Sequence, residues 1–236
     1  MKNRGFSISE FLISTLLASL IIGALVNHFL SSKEHLEFLI KKTGKSLEQL
    51  NLQGLISDSI RNAGFTPCVG LDYLQTIDTR VFKPIPSVLS YEPNNFITRR
   101  MNYLFDEIIK FTLPNRVLLH AHVLNKEKPI VIADCFHAEI HQIERIEKIG
   151  ENDMVILKEP FFFEYQAPAY IGNWIEEYFF IKNASLYYQL QRNDLLSAVI
   201  KAVTISWQKS ERKLLKVSLI DENDDSLEFY SRVRNS

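Results

Sequence analysis

Between Phe11 and Leu30 the chain carries no Lys, Arg, Asp or Glu. A run of about 20 residues without charge is the length a helix needs to cross the hydrocarbon core of a bilayer. In lipid the backbone must satisfy its own hydrogen bonds, so a single span of this kind has to be helical. Lys2 and Arg4 lie just before it. Basic residues stay on the cytoplasmic side, which predicts a cytoplasmic N-terminus and export of everything after Leu30. A cleaved secretory signal would have a shorter apolar region and a small-residue cleavage site. Here the run continues into Asn27-His28-Phe29-Leu30-Ser31-Ser32, which has no such site.

Glu10 stands at the head of this run. A carboxylate at membrane depth costs about 2.5–3.5 kcal/mol on insertion scales, and less near the interface. No Lys or Arg follows within two helical turns, so an ion pair within the helix is not available to it. Either Glu10 rests in the head-group zone, or it meets a positive charge on another chain.

The segment Arg4-Gly5-Phe6-Ser7-Ile8-Ser9-Glu10, followed by the apolar stretch, resembles the processing signal of type IV prepilins. That resemblance implies cleavage by a membrane-embedded prepilin peptidase between Gly5 and Phe6, and N-methylation of Phe6. It also implies that Glu10 pairs with a mature N-terminal amine during assembly. Two opposite charges in an apolar medium cost far less together than apart, which agrees with that role.

Beyond the span, Leu36, Leu39, Ile40, Leu47, Leu50, Leu55, Ile56 and Ile60 recur mostly at three- and four-residue intervals. One long helix is predicted from about Phe6 to Asn62, its first half in lipid and its second half offering an apolar stripe to a folded head. Gly64 is placed as its C-cap, with Pro67 soon after. Gly44 marks the position where two helices would break instead of one. After Gly64 the texture alternates, and strands are predicted over residues 116–124, 130–133, 154–157, 178–181, 185–191, 199–207, 214–220 and 227–233. Lys182-Asn183-Ala184 and the acidic run Asp221–Asp225 are read as hairpin turns. Ile140, Ile143, Ile146 and Ile149 fall three apart, which suits a helical turn better than a strand. The fold class is therefore α+β: a long N-terminal helix, transmembrane in its first half, packed on a mainly antiparallel β-sheet head. The divisions are residues 1–5 as leader, 6–30 as membrane half, 31–63 as distal helix and 64–236 as head.

A second resemblance narrows the class. Phe29-Leu30-Ser31-Ser32-Lys33, and Arg61-Asn62-Ala63-Gly64-Phe65 followed by Cys68, resemble the PilW family of minor pilins. So do Val131-Ile132-Ala133-Asp134-Cys135 and Ala138-Glu139-Ile140-His141-Gln142-Ile143, with His141 where that family often has an aromatic. Leu195–Trp207 and Val233-Arg234-Asn235 are similar to this group and its pseudopilin relatives. The resemblance implies a pilin-like fold and a subunit that primes assembly of a type IV pilus, near its tip. The partners it implies are the prepilin peptidase, the other minor pilins, the major pilin and the inner membrane. A minor pseudopilin of a type II secretion system is the neighbouring reading. A membrane-anchored periplasmic enzyme or receptor is the reading from another class.

Cys68 and Cys135 are the only two cysteines. In an exported head they are expected to pair, tying the loop after the helix to the sheet. Two cysteines exclude a four-cysteine metal site.

Other patterns carry less. His120 and His122 share one strand face, and His137 and His141 have the spacing of a helical turn, yet neither pair has an evident completing ligand. They are read as surface histidines, and no metal or other cofactor is expected. Asp221–Asp225 lacks the Gly and terminal Glu of an EF-hand loop. Phe161-Phe162-Phe163-Glu164-Tyr165 is read as a core strand rather than an exposed contact patch. No nucleophile-elbow, zinc-protease or phosphate-loop motif occurs, and no catalytic residue is predicted. With 27 basic and 28 acidic residues, nothing favours nucleic acid as a direct partner.

Overall fold

The computed structural model describes residues 8–112, 114–120, 124–208 and 214–233. It comprises two compact units, one ending at Asn51 and one beginning at Leu52.

Helix α1 spans Ile8–Asn62 without a break at Gly44 or Gly54. In the first unit its apolar residues, from Ile8 through Phe11, Leu20 and Leu30, are exposed. This part is long and apolar enough to cross a membrane. The stripe expected of the distal half is only partly used. Leu36, Leu39, Ile40, Leu47 and Leu50 are exposed, and burial begins at Leu52 and continues through Ile56, Ile60 and Ala63. The helix stops at Gly64, whose φ of 75° places it in the left-handed region that glycine adopts without strain. The Gly64 N–H leaves the helical pattern and donates to the Arg99 carbonyl at 2.7 Å.

The second unit is built on strands β1 (Gln75–Asp78), β2 (Leu89–Glu92), β3 (Asn95–Thr112), β4 (Arg116–Leu119), β5 (Ile130–Ala133), β6 (His137–His141) and β7 (Ile143–Ile149). The chain continues through β8 (Asn152–Leu157), β9 (Tyr170–Lys182), β10 (Ser185–Gln189), β11 (Asn193–Ser197), β12 (Ile200–Trp207), β13 (Leu214–Asp221) and β14 (Ser226–Arg232). Among the described residues eleven strands form one sheet in the order β1-β6-β5-β9-β3-β4-β8-β7, with β10 and β11 extending from β9 and β2 pairing β3. Strands β12, β13 and β14 form a separate antiparallel sheet. Among the described strands only β1 and β6 run parallel.

Two apolar cores result. The first joins the end of α1 (Leu52, Ile56, Ile60) to the three-stranded sheet (Val217, Leu219, Phe229) and to Phe96 and Phe179 of the large sheet. The second gathers Val117, Leu119, Val155, Leu157 and Ile171. Strand β5 explains why Ile130-Val131-Ile132-Ala133 is apolar without interruption. Val131 and Ala133 face the first core, and Ile130 and Ile132 face the second. A strand covered on both faces needs no polar side.

The 18-residue β3 serves both cores. Its first part pairs with β9, its last part with β4, and the register shifts between Met101 and Phe105 and again between Ile108 and Lys110. Gly172 of β9 lies under this irregularity. A Cβ there would stand 2.8 Å from Met101 Cγ, so the close approach of the two strands requires glycine.

The predicted hairpin turns form. Asn183 and Ala184 both have positive φ between β9 and β10, the backbone of a two-residue hairpin turn. Asp221 Oδ1 accepts the N–H groups of Asn223 and Asp225, closing the turn between β13 and β14. Two expectations are corrected. Residues 140–149 are not helical but lie in β6 and β7, joined at Gln142. Ile140 joins the first core, Ile143 and Ile146 the second, and Ile149 is exposed. The odd spacing puts Ile140 and Ile143 in different cores, and the register shift between Ile143 and Arg145 brings Ile146 back beside Ile143. Phe161–Tyr165 forms no strand and lies in the irregular segment between β8 and β9.

Candidate functional site

Glu10 lies in the first turn of α1, and its backbone carbonyl accepts the Ser14 hydroxyl at 2.8 Å. Gly5 and Phe6 lie outside the described residues, as does His122. His120 follows β4 and is exposed.

Cys68 and Cys135 are disulfide-bonded, with Cα atoms 5.2 Å apart across 67 residues of sequence. The bond joins the segment after α1 to the turn between β5 and β6. That turn is organised by Asp134, whose side chain is fully buried. Asp134 Oδ1 accepts the N–H groups of Phe136 and His137 at 2.7 and 2.6 Å, and Oδ2 accepts that of Gln166 at 2.9 Å. Burial by itself raises a carboxyl pKa, but these three donors outweigh it and hold Asp134 below the ordinary carboxylate value.

A second carboxylate lies beside it. Glu139 of β6 accepts the N–H of Phe162 at 3.0 Å and that of Phe163 at 2.6 Å. His141 Nε2 sits 2.7 Å from Glu139 Oε2, and neither side chain has exposed surface. The Thr79 hydroxyl donates its only proton to the Ile140 carbonyl at 2.7 Å and so accepts from His141 Nδ1 at 3.1 Å. Glu139 thus gathers two backbone N–H groups and the His141 ring. His141 is a buried histidine, not a surface one, and its ring meets Phe161 edge-on at 6.0 Å.

Asp134 and Glu139 together hold the aromatic segment 161–166 through its backbone. Phe161 and Tyr165 turn inward against the second core. Phe162, at 62% exposure, and Phe136, at 55%, turn outward. Burial, and then the nearby Glu139 charge, raise the Tyr165 pKa well above the ordinary phenol value. The aromatic run is therefore neither the expected core strand nor a continuous patch, because its side chains divide between core and solvent.

A third polar cluster fastens the end of α1. Ser59 Oγ donates to Glu177 Oε2 at 2.7 Å and lies 2.6 Å from Thr98 Oγ1. The Tyr188 hydroxyl and Arg100 Nη2 reach Glu177 Oε1 at 3.0 and 3.4 Å. Arg100 also lies over the Tyr103 ring, 4.8 Å from its centroid. The sequence gives one clue to such residues: acids set in an otherwise apolar strand, one in His137-Ala138-Glu139-Ile140-His141 and two in Trp174-Ile175-Glu176-Glu177-Tyr178. It names no partner for them. His137 pairs with Asp134 at 3.4 Å and stacks on Phe163, and His141 is committed to Glu139 and Thr79. Among the described residues no three His, Cys, Asp or Glu side chains are grouped to hold a metal.

Compared with family models, with curated proteins and with solved structures, the chain matches none.

Proposed function

We propose that the chain is a minor pilin of PilW type, a subunit that takes part in priming and assembling a type IV pilus. In this reading Gly5–Phe6 is cut by the prepilin peptidase, Phe6 is methylated, and the head lies on the periplasmic side of the inner membrane before assembly. The other minor pilins and the major pilin are its partners, and it has no catalytic role. The observation that carries the reading is one helix with two environments. Its exposed apolar part begins next to Glu10, and its last turns are buried in an antiparallel head tied by a disulfide. An apolar segment of that length left uncovered calls for lipid or for like helices of neighbouring subunits.

Mass spectrometry of the N-terminal peptide from the membrane fraction tests it. The reading requires a methylated Phe6 as first residue. An intact Met1, or cleavage near Ser31, defeats it. Co-purification with pilus subunits rather than with secretion components separates a minor pilin from a pseudopilin.

A further inference from the structure

Strand β9 has a gap along one edge. Residues 170–173 pair there with β5, and residues 178–182 pair with β10. Between them no described strand is paired to residues 174–177 on that side. The gap opens into a groove of about 760 Å³, a volume in the usual range for small-molecule sites. Asn125, Lys128 and Pro129 form one wall, Gln189 and Gln191 the other, and Trp174 and Tyr178 belong to the floor.

We infer that this groove binds a neutral oligosaccharide. This goes beyond the assembly role and does not depend on it. Four observations lead to that chemistry. Carboxamides dominate the polar lining; Asn102, Asn125 and Asn173 are engaged with nearby backbone, while Gln189 and Gln191 each bring a donor and an acceptor side by side, matching two neighbouring sugar hydroxyls. Tyr178 is half-buried and stacks on Phe180 at 4.9 Å, a fixed aromatic face for the C–H side of a pyranose. Trp174 is only 4% exposed, and its indole Nε1–H has no hydrogen-bond partner among the described residues. Such a donor gains from a ligand oxygen. The charged lining residues are Glu127, Glu176 and Lys128, with Glu176 already bonded to Arg99, so no positive excess favours an anion.

The backbone adds to this. The Trp174 N–H donates toward the gap, to the Pro129 carbonyl at 2.9 Å. By the two-residue period of a strand the Glu176 N–H faces the same way. A peptide adding itself as a strand would have to rely on the Glu176 N–H, since that of Trp174 is already taken. However, the open stretch is four residues, about 13 Å at 3.3 Å per residue, and β5 and β10 close it at both ends. A compact ring fits that length better than an extended strand.

The test uses the full chain in phosphatidylcholine nanodiscs and isothermal titration calorimetry. The probes are maltohexaose, cellohexaose and chitohexaose, with a hyaluronan hexasaccharide and an uncharged Gly-Ser hexapeptide as contrasts. Saturable binding of at least one neutral hexasaccharide with Kd below about 1 mM is expected. Tyr178→Ala is expected to weaken it at least tenfold. Gln191→Ala changes an exposed side chain and leaves the fold intact, and it is expected to weaken binding severalfold. Phe162→Ala, outside the groove, is expected to leave it unchanged. Lack of binding by all three neutral sugars up to about 10 mM overturns the inference. So does binding of the acidic sugar or the peptide alone, or binding that the groove variants leave untouched.

Discussion

Glu139 and His141 stand two residues apart on β6 and meet at 2.7 Å where neither side chain reaches solvent. Residues i and i+2 share a strand face, so their side chains are neighbours by construction. The pair joins β6 to the aromatic segment through Phe162 and Phe163, and to Thr79 through Nδ1. Removing one member leaves the other's polar atoms buried without that partner. His141→Phe is predicted to destabilise the head by about 1–3 kcal/mol. The paired replacement Glu139→Gln with His141→Phe is predicted to cost clearly less than the losses of Glu139→Gln and His141→Phe summed, because neither partner is left alone. Urea unfolding of the parent, the two single variants and the double variant checks this, and simple additivity would contradict the coupling.

Asp134 gives the head an acid dependence. Its folded pKa is lowered, so its contribution is fully present above the unfolded value of about 4 and is lost as pH falls through the lower folded value. Asp134→Asn keeps the shape, but donors lie at both oxygen positions, so its carboxamide nitrogen must face an N–H on one side. The variant is predicted to be less stable at pH 7 and to lose less stability than the parent between pH 5 and about 3. Unfolding midpoints across that range make the comparison.

Ser59 and Glu177 fasten the last turns of α1 to β9. Ser59→Ala is predicted to cost about 1–2 kcal/mol, one hydrogen bond to a charged group. Glu177→Ala is predicted to cost about 3–5 kcal/mol, since Arg100 Nη2 loses its carboxylate while Arg100 Nε and Nη1 have no hydrogen-bond partner among the described residues. Amide hydrogen exchange of residues 52–62 reads the local effect. Equal protection in Glu177→Ala and the parent would show that the cluster does not hold the helix end.

The Cys68–Cys135 bond closes a loop of 67 residues. Cys68→Ser is predicted to lower stability by about 4 kcal/mol in the chain-entropy model. Reductant should lower the parent to the level of the variant and leave the variant unmoved. Peptide mapping without reductant should recover the linked pair from the parent, and two free thiols there would contradict the pairing.

Glu10 tests the proposed assembly role. Leaving lipid for a packed filament removes interfacial water from the carboxylate, so pairing with an ammonium matters most at that step. Glu10→Ala and Glu10→Gln are predicted to insert, to be processed and to form the disulfide, yet to be poorly incorporated into pili. Co-purification with minor pilins and surface pilus number measure this. Normal assembly with Glu10→Gln would show that the charge is dispensable.

The sequence by itself determined what is encoded within one element or between neighbours. The long helix, its end at Gly64, the turns at Asn183-Ala184 and Asp221–Asp225, and the strand at Ile130–Ala133 all follow from local periodicity, φ preference or an unbroken apolar run. The two cysteines, alone in the chain, left one possible intramolecular pair. What only the tertiary structure decided depends on partners far away in sequence. Strand β3 runs for 18 residues, but its bulges and the charges Arg99, Arg100, Asp106 and Glu107 hide its alternation. The isoleucines of β6 and β7 have helical spacing, yet they divide between the two cores and solvent. The distal stripe from Leu36 to Leu50 has helical spacing without burial, since a pattern shows which residues share a face and not what covers them. Glu139, His141 and Glu177 look like surface residues until their partners are known. A buried charge is tolerable only when donors and counter-charges surround it, and those come from strands and loops that the sequence places far apart.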